Sequence, residues 1–398
     1  MLPANTFDLK EFSATLFEKM QDINPGIAEV ELYEFRYGLA TLNLSLDDWA
    51  RVALEAPEQI ESRIHAREFY DTIQIQPHVD GRIVLDATIT RLTAMLLVGI
   101  ANGAYTIEWV NRNFYFDIRG FYFLTRTHYF TPPVLAHFCG KPYRQFEPKQ
   151  TSFERLQDVG YKQFREANAQ VDELFIASVK QLIAAKGTPI LLAIAGPTAA
   201  GKTEIVERLR VAFAQDGQAT TSVELDNFFT DRAYREAHGI HSLGKQAFHF
   251  ELLEQSLRDL CQGKRITIPR YDFFYATSSH DLDGKLKPDG VPIAVEPAEI
   301  IFIEGNFPFL IPEIARLIGI KVVYLTDDPV RLKRKWKRDI DYRKKYEPTY
   351  FRNRYFKEQF LMAEKCYLPQ LQMCDLAIDT TGATLWATPA VAEILNRG

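Results

Sequence analysis

An α/β fold built on a doubly wound parallel sheet is predicted for the C-terminal half of the chain, preceded by a separate α+β domain. Three observations predict it. Short apolar runs alternate with helical patterns from about residue 188 onward, as in successive βαβ units. The apolar run Pro189-Ile-Leu-Leu-Ala-Ile-Ala195 leads into Gly196-Pro-Thr-Ala-Ala-Gly-Lys-Thr203, a complete G-x-x-x-x-G-K-[ST] phosphate loop, and an amphipathic segment follows it. The length, 398 residues, exceeds the size at which one core usually keeps growing, so at least two domains are expected.

Residues 1–150 read as an α+β domain of unknown role. Ser45-Leu-Asp-Asp-Trp49 has the form of a helix start, with Ser45 as N-cap and acids in the first turn. Asp80-Gly81 marks a turn, and Thr88 to Ile100 is apolar enough for a buried helix. Between Ala104 and Phe130 the pattern predicts two or three strands: Tyr105, Ile107 and Trp109 alternate, then Asn113-Phe-Tyr-Phe-Asp-Ile118 and Phe121-Tyr-Phe-Leu-Thr125 follow. Thr131-Pro-Pro133 breaks that pattern. Residues 151–187 form a helical linker, with Phe153, Leu156, Phe164, Val171, Leu174, Phe175, Val179, Leu182 and Ile183 at helical spacing. Lys186-Gly-Thr-Pro189 ends it. From 188 to 398 the expected strands are Ile190–Ala195, Thr220–Leu225, Ile300–Glu304, Lys321–Leu325 and Asp375–Asp379. The expected helices are 203–215, 250–262, 329–344 and 388–396.

Composition bounds the function. Hydrophobic content of 46% and charged content of 25% are those of an ordinary globular protein, and the formal net charge of −5 argues against broad nucleic-acid binding. No apolar run approaches the ~18 residues of a membrane span, and the N-terminus lacks the pattern of a signal peptide. The four cysteines fall in no C-x-x-C pair. These features predict a cytoplasmic chain with reduced thiols, and they leave homo-oligomerisation open.

The loop carries the chemistry. Backbone N–H groups of Gly196, Pro197, Thr198, Ala199, Ala200 and Gly201, insofar as each has one, surround phosphate oxygens at a helix N-terminus; Lys202 adds a point charge and the Thr203 hydroxyl suits Mg²⁺. Asp226 ends a predicted strand and Glu304 ends another, and ligands of open α/β sheets gather at the carboxyl ends of strands. Asp226 is placed to accept the proton of an attacking hydroxyl, and Glu304 to serve the metal. Nine basic residues between Arg331 and Lys345 read as a lid that closes over the triphosphate; a solvated basic helix and an RNA-binding patch are the alternatives.

With those residues in place the C-terminal half resembles the uridine kinase and phosphoribulokinase family of P-loop kinases. Asp226-Asn-Phe-Phe-Thr-Asp-Arg232 resembles the family's Asp-x-Phe-Tyr segment, Pro269-Arg-Tyr-Asp-Phe273 its Pro-x-Tyr-Asp-Phe, and Ile303-Glu-Gly305 its Glu-Gly strand end. Arg331-Leu-x-Arg334-x-x-x-Arg338-Asp339 with Arg343 resembles its lid, and Cys374-Asp-Leu-Ala-Ile-Asp379 its late segment near the adenine. The resemblance implies ATP and Mg²⁺ as cofactors and phosphorylation of a hydroxyl on a small molecule such as a nucleoside or sugar. It implies Asp226 as base, Thr203 and Glu304 at the metal, Lys202, Arg334 and Arg338 on the phosphates, and Tyr271 and Arg343 with Asp226 at the acceptor.

Three positions depart from the family. Leu243 stands where the family carries an Asp that grips ribose hydroxyls, Phe229 replaces the Tyr of Asp-x-Phe-Tyr, and Ala276 replaces a His. All three belong to the acceptor side, so plain uridine is not the expected acceptor. His238, His241 and His249 lie in the altered segment, and are read as surface or packing residues. In the N-terminal domain Glu29-Val-Glu31 resembles the paired acids of triphosphate-tunnel enzymes, but Tyr33 stands where their Lys is expected. A strand with solvent-facing acids is the plainer reading. Two rivals to a kinase follow: a nucleotide-dependent switch whose N-terminal domain binds a partner, and a bifunctional enzyme with separate N-terminal chemistry.

Overall fold

The computed structural model of the chain describes residues 8–24, 27, 30–64, 75–77, 83–85, 87–117, 121–147, 161–240, 245–338 and 362–397. These fall into two compact units.

The first unit precedes Tyr129 in its main part. It contains helices α1 (Leu9–Ile23), α2 (Leu32–Ala40), α3 (Leu46–Ala50) and α4 (Pro57–Ile64), the antiparallel pair β1 (Ile75–Pro77) and β2 (Ile83–Leu85), helices α5 (Ala87–Asn102) and α6 (Ile107–Asn113), and the antiparallel pair β3 (Phe114–Asp117) and β4 (Tyr122–Thr125). Ser45 caps α3 as expected, its hydroxyl accepting from the Asp48 N–H at 3.1 Å. Helix α5 buries Leu92, Met95, Leu96 and Ile100, and Lys19 Nζ donates to the carbonyls of Ile100 (3.1 Å) and Ala101 (3.0 Å) at its C-terminal end. An aromatic chain, Phe35–Phe121–Phe116–Phe123 with ring centroids 4.9–5.1 Å apart, fills the interior. The aromatic strands thus pack a core.

Two expectations fail in this unit. Residues Ile107–Asn113 are helical where the alternation of Tyr105, Ile107 and Trp109 suggested a strand. The Thr106 hydroxyl accepts from the Trp109 N–H at 3.2 Å and so caps a helix, a signal that outweighs three alternating side chains. Glu31 is the N-cap of α2 and no strand acid; the Glu34 carboxylate accepts its N–H at 2.9 Å. Glu29 and the Asp80-Gly81 turn lie outside the described residues.

The second unit comprises the described residues within 129–149, 167–344 and 362–398. It begins with α7 (Pro132–His137) and the edge strand β5 (Arg144–Gln145). The structure therefore draws 129–149 into this unit, past the division expected near 150, because β5 pairs with the last strand of its sheet. Helix α8 (Tyr161–Lys186) precedes β6 (Ile190–Ala195), the phosphate loop and α9 (Lys202–Gln215); the expected start at Phe153 lies outside the described residues. Then come β7 (Thr220–Glu224), a 3₁₀ turn Leu225–Phe228, α10 (Arg232–Ala237), α11 (Phe250–Cys261), β8 (Ile266–Ile268), β9 (Tyr271–Asp272), β10 (Thr277–Ser278), β11 (Ile293–Val295) and β12 (Ile300–Gly305). The unit closes with α12 (Pro312–Ala315), β13 (Ile320–Leu325), α13 (Asp328–Lys337), a π-helical turn Ala363–Tyr367, α14 (Leu368–Leu371), β14 (Leu376–Asp379), β15 (Thr384–Ala387) and α15 (Pro389–Arg397).

Seven strands form one sheet in the order β5-β15-β14-β13-β6-β12-β7. The five from β14 to β7 are parallel; at one edge β15 pairs antiparallel with β14, and β5 antiparallel with β15. Strand β6 is buried at all six residues, as a central parallel strand covered on both faces must be. Alternate residues serve the two faces. Leu191, Ala193, Ala195, Ile301 and Ile303 pack with Leu253 and Leu257 of α11 on one side. Ile190, Leu192, Ile194, Ile300 and Phe302 pack on the other with residues of α8, α9 and α15. That period of two on a doubly covered sheet is the doubly wound fold the sequence predicts. From β6 the chain passes outward to β7, returns to β12, then moves to β13 on the opposite side. The strand order thus reverses at the carboxyl end of β6, where the loop sits.

Candidate functional site

The phosphate loop is shaped by close approach. Gly196 has φ +155°, and a Cβ there would lie 2.1 Å from the Tyr324 carbonyl oxygen. No other residue fits. Gly201, at φ +106°, is the N-cap of α9, and Ala199 adopts the left-handed region at φ +63°. The Ala200 carbonyl accepts from the Thr326 hydroxyl at 2.8 Å, which in turn sits 2.7 Å from the Thr380 hydroxyl, so the ends of β13 and β14 brace the loop.

Lys202 opens α9 and its ammonium group turns back over the loop. Nζ donates to the carbonyls of Gly196 (2.9 Å) and Pro197 (3.0 Å), and lies 3.5 Å from Asn306 Oδ1. Burial lowers its pKa, while the nearby charges of Glu304 and Asp226 oppose that shift. The next residue, Thr203, has its hydroxyl near enough to the Glu304 carboxylate to lower that group's pKa.

Glu304 ends β12 with 6% exposure. Burial pushes its pKa up to about 7, against the pull of the Lys202 charge and the Thr203 hydroxyl. Its Oε2 is buried with no hydrogen-bond partner among the described residues, a costly arrangement for an acceptor. Gly305 follows because a Cβ there would lie 2.5 Å from Leu225 Cβ. That close approach brings the end of β12 against the 3₁₀ turn that carries Asp226. Half-buried, Asp226 exerts its charge on both Lys202 and Glu304. The charges of Lys202, Asp226 and Glu304 thus act on one another from the start of α9, the 3₁₀ turn after β7 and the end of β12. Among the described residues no group of three or more His, Cys, Asp or Glu side chains forms a protein-only metal site.

Tyr271 opens β9 and is buried. Its N–H donates to Asn227 Oδ1 at 3.3 Å, which ties it to the residue after Asp226. Its hydroxyl accepts from Arg235 NH2 at 3.0 Å. The Arg235 guanidinium lies 4.5 Å from the Phe229 ring centroid, and Phe229 packs on Phe248 at 4.0 Å. Tyr271, Phe229 and Phe248 thus form an aromatic patch with one buried guanidinium. Ala276 is buried at φ +59°. His238 is exposed, with Nδ1 2.9 Å from the Tyr234 carbonyl, whereas His249 is buried at the start of α11. Leu243 and His241 lie outside the described residues.

The basic run divides. Arg334 reaches the loop: NH1 lies 3.8 Å from the position a Gly201 Cβ would take. Arg338, at the end of α13, exerts its charge on Lys202. Arg331 and Lys335 do not belong to an open lid. Arg331 is fully buried, donating to Asp328 Oδ1 at 2.6 and 2.8 Å, and Lys335 is 6% exposed. Their spacing in the helix turns them inward, which a count of basic residues does not reveal. Arg343 lies outside the described residues. Sequence reasoning missed Asn306, Thr326, Thr380, Asn227 and Arg235. Asn306 had a signal, since it directly follows Glu304-Gly305; the other four are recruited by packing alone.

Residues 191–386 match the sequence profile described as the Phosphoribulokinase / Uridine kinase family. The chain is 33% identical over 160 residues to the uridine kinase of Brevibacillus brevis, a match over 39% of this chain and 69% of that one. To uridine-cytidine kinase 2-B of Danio rerio it is 27% identical over 224 residues, 53% of this chain and 82% of that protein. Among solved structures it is similar to a possible uridine kinase from Bacillus stearothermophilus (TM-score 0.31, 19% identity, 48% of this chain and 88% of the other). Another is D-glycerate 3-kinase from Cryptococcus neoformans (TM-score 0.37, 12% identity, 54% and 98%).

Proposed function

The chain belongs to the phosphoribulokinase/uridine kinase family, and on that premise we propose that it transfers the γ-phosphoryl group of ATP to a hydroxyl of a small metabolite, a nucleoside or a sugar. What supports this reading is the phosphate loop at the carboxyl end of β6, with Lys202 turned back over its carbonyls and the charges of Asp226 and Glu304 acting on that lysine.

In this reading the backbone amides of the loop and the N-terminus of α9 bind the β- and γ-phosphates, and Lys202 exchanges its carbonyl partners for phosphate oxygens. Asp226 holds the acceptor hydroxyl and takes its proton as the oxygen bonds to phosphorus and ADP departs. Arg334 and Arg338, with Arg343, neutralise charge on the transferring group. Tyr271, Phe229 and Arg235 form the floor on which the acceptor lies. The unpartnered Oε2 of Glu304 and the Thr203 hydroxyl fit a divalent cation carried in on the nucleotide. Mg²⁺ bound through one or two protein oxygens and substrate phosphates would supply charge neutralisation there.

The acceptor side supports something other than plain uridine. Leu243 replaces the carboxylate expected to grip a ribose, and a charge-assisted hydrogen bond contributes about 1.5–3 kcal/mol. Incubating the full chain with ATP·Mg²⁺ and a panel of nucleosides and sugars tests the proposal. Acceptor-dependent ADP release with a phosphorylated product is expected. Slow hydrolysis that no acceptor accelerates would replace the kinase by a nucleotide-dependent switch.

A further inference from the structure

One buried ionic cluster lies behind the phosphate loop and involves a group no step above uses. Helix α8 crosses the sheet face where Val171, Phe175 and Val179 pack with Leu209 and Phe213 of α9 and Tyr324 of β13. Within this apolar layer stands Asp172, 3% exposed. One carboxylate oxygen accepts from Arg208 of α9, and the other from the Tyr324 hydroxyl at 2.9 Å. Burial pushes its pKa up, and Arg208, the Tyr324 hydroxyl and the charge of Arg334 pull it back.

Each partner of Asp172 leads to the loop. The carbonyl oxygen of Tyr324 is the atom that forbids a side chain at Gly196, and its ring edge lies 3.5 Å from the position of a Gly201 Cβ. Arg334, beside the same glycine, feels Tyr324, Glu204 and Asp172 together. Arg208 belongs to the helix that the loop opens. An apolar side chain would fill this position with less desolvation cost than a carboxylate. A carboxylate here gains its partners from Tyr324, which shapes the loop, and from Arg208 on the helix the loop opens.

We propose that Asp172 is a positioning residue for the nucleotide site: through Tyr324, Arg208 and Arg334 it fixes the loop in the shape that receives the triphosphate. Asp172 comes from α8, N-terminal to the matched segment 191–386, so this chain supplies a support from beyond that segment. The inference rests on the reading of the loop as an ATP site.

Equilibrium titration of the full chain with ATP·Mg²⁺, alongside thermal denaturation, tests it. Asp172→Asn should weaken binding about 10-fold or more, because the neutral amide loses the ion pair with Arg208 and the charge that Arg334 feels. Tyr324→Phe removes one hydroxyl only and should weaken binding about threefold. The double variant should bind no more weakly than Asp172→Asn alone, since both changes act on one contact. Asp172→Glu should recover part of the loss. Leu182→Ala, a core change on the same helix, should lower the melting temperature and leave nucleotide affinity within about twofold. Wild-type affinity in both Asp172→Asn and Tyr324→Phe, or additive losses in the double variant, would overturn the inference while wild type still binds. If Asp172→Asn does not fold, Tyr324→Phe decides. Failure of the wild-type chain to bind nucleotide removes the ATP reading and this inference with it.

Discussion

The phosphate loop and the aromatic patch proposed to hold the acceptor are built from different kinds of constraint. At the loop, the Tyr324 carbonyl oxygen, 2.1 Å from where a Cβ would stand, dictates Gly196, and the Leu225 side chain, 2.5 Å from it, dictates Gly305, while charge suits Lys202, Asp226 and Glu304. In the proposed acceptor patch, ring packing and one guanidinium, Phe229, Phe248, Tyr271 and Arg235, set the surface. Backbone geometry tolerates no substitution, whereas an aromatic floor can be rebuilt for another ligand. Three of the acceptor-side positions differ from the family pattern, and the loop does not.

That contrast is sharpest at the reacting atoms. Asp226→Asn should lower kcat by about 10³-fold, near the middle of the range for a lost general base, with ATP affinity kept within a few-fold. Steady-state kinetics with nucleotide titration check it; a product rate insensitive to the change would remove Asp226 from the mechanism. Next comes Gly196→Ala. The clash with the Tyr324 carbonyl should cost about 2–4 kcal/mol of stability and abolish detectable nucleotide binding, read by denaturant unfolding and titration.

Glu304→Gln should separate stability from function. The folded-state pKa near 7 lies above the model-peptide value of 4.5, so the folded chain binds the extra proton between those limits. Stability from this group is therefore full below about pH 4.5 and lost as pH rises through 7. The variant should gain about 2–3 kcal/mol over wild type at pH 8 and little at pH 5, in nucleotide-free unfolding experiments, while Mg²⁺-dependent turnover falls. Equal effects at the two pH values would place the carboxylate's cost elsewhere. The smallest effect is expected at the acceptor floor. Tyr271→Phe removes the oxygen that accepts from Arg235 and should raise the acceptor KM a few-fold, about 1 kcal/mol, with the ATP KM unchanged.

Local residue order made the loop legible, because strand, glycine turn and helix must be contiguous in sequence to cradle phosphate. The parallel strands were legible too, since a strand buried on both faces is written as an unbroken apolar run. Helix α6 was not, because three alternating side chains carry less information than the Thr106 cap beside them. Arg331 shows the same limit in the basic segment. Nine like charges suggest a solvated lid, yet Asp328, three residues earlier, pairs with Arg331 in the interior.

What the sequence determined by itself is the chemistry that depends on neighbours along the chain: the phosphate loop, the strand-end acids and the alternation that winds helices over a sheet. What only the tertiary structure decided is which distant groups close around that loop. Thr326 and Thr380 brace it, Asn306 meets its lysine, and Asp172 reaches it through Tyr324 across 152 residues of sequence. The physical reason is burial. A lone Asp in a helical pattern looks like any solvated acid, and acquires its role only when packing removes water and leaves an arginine and a tyrosine to replace it.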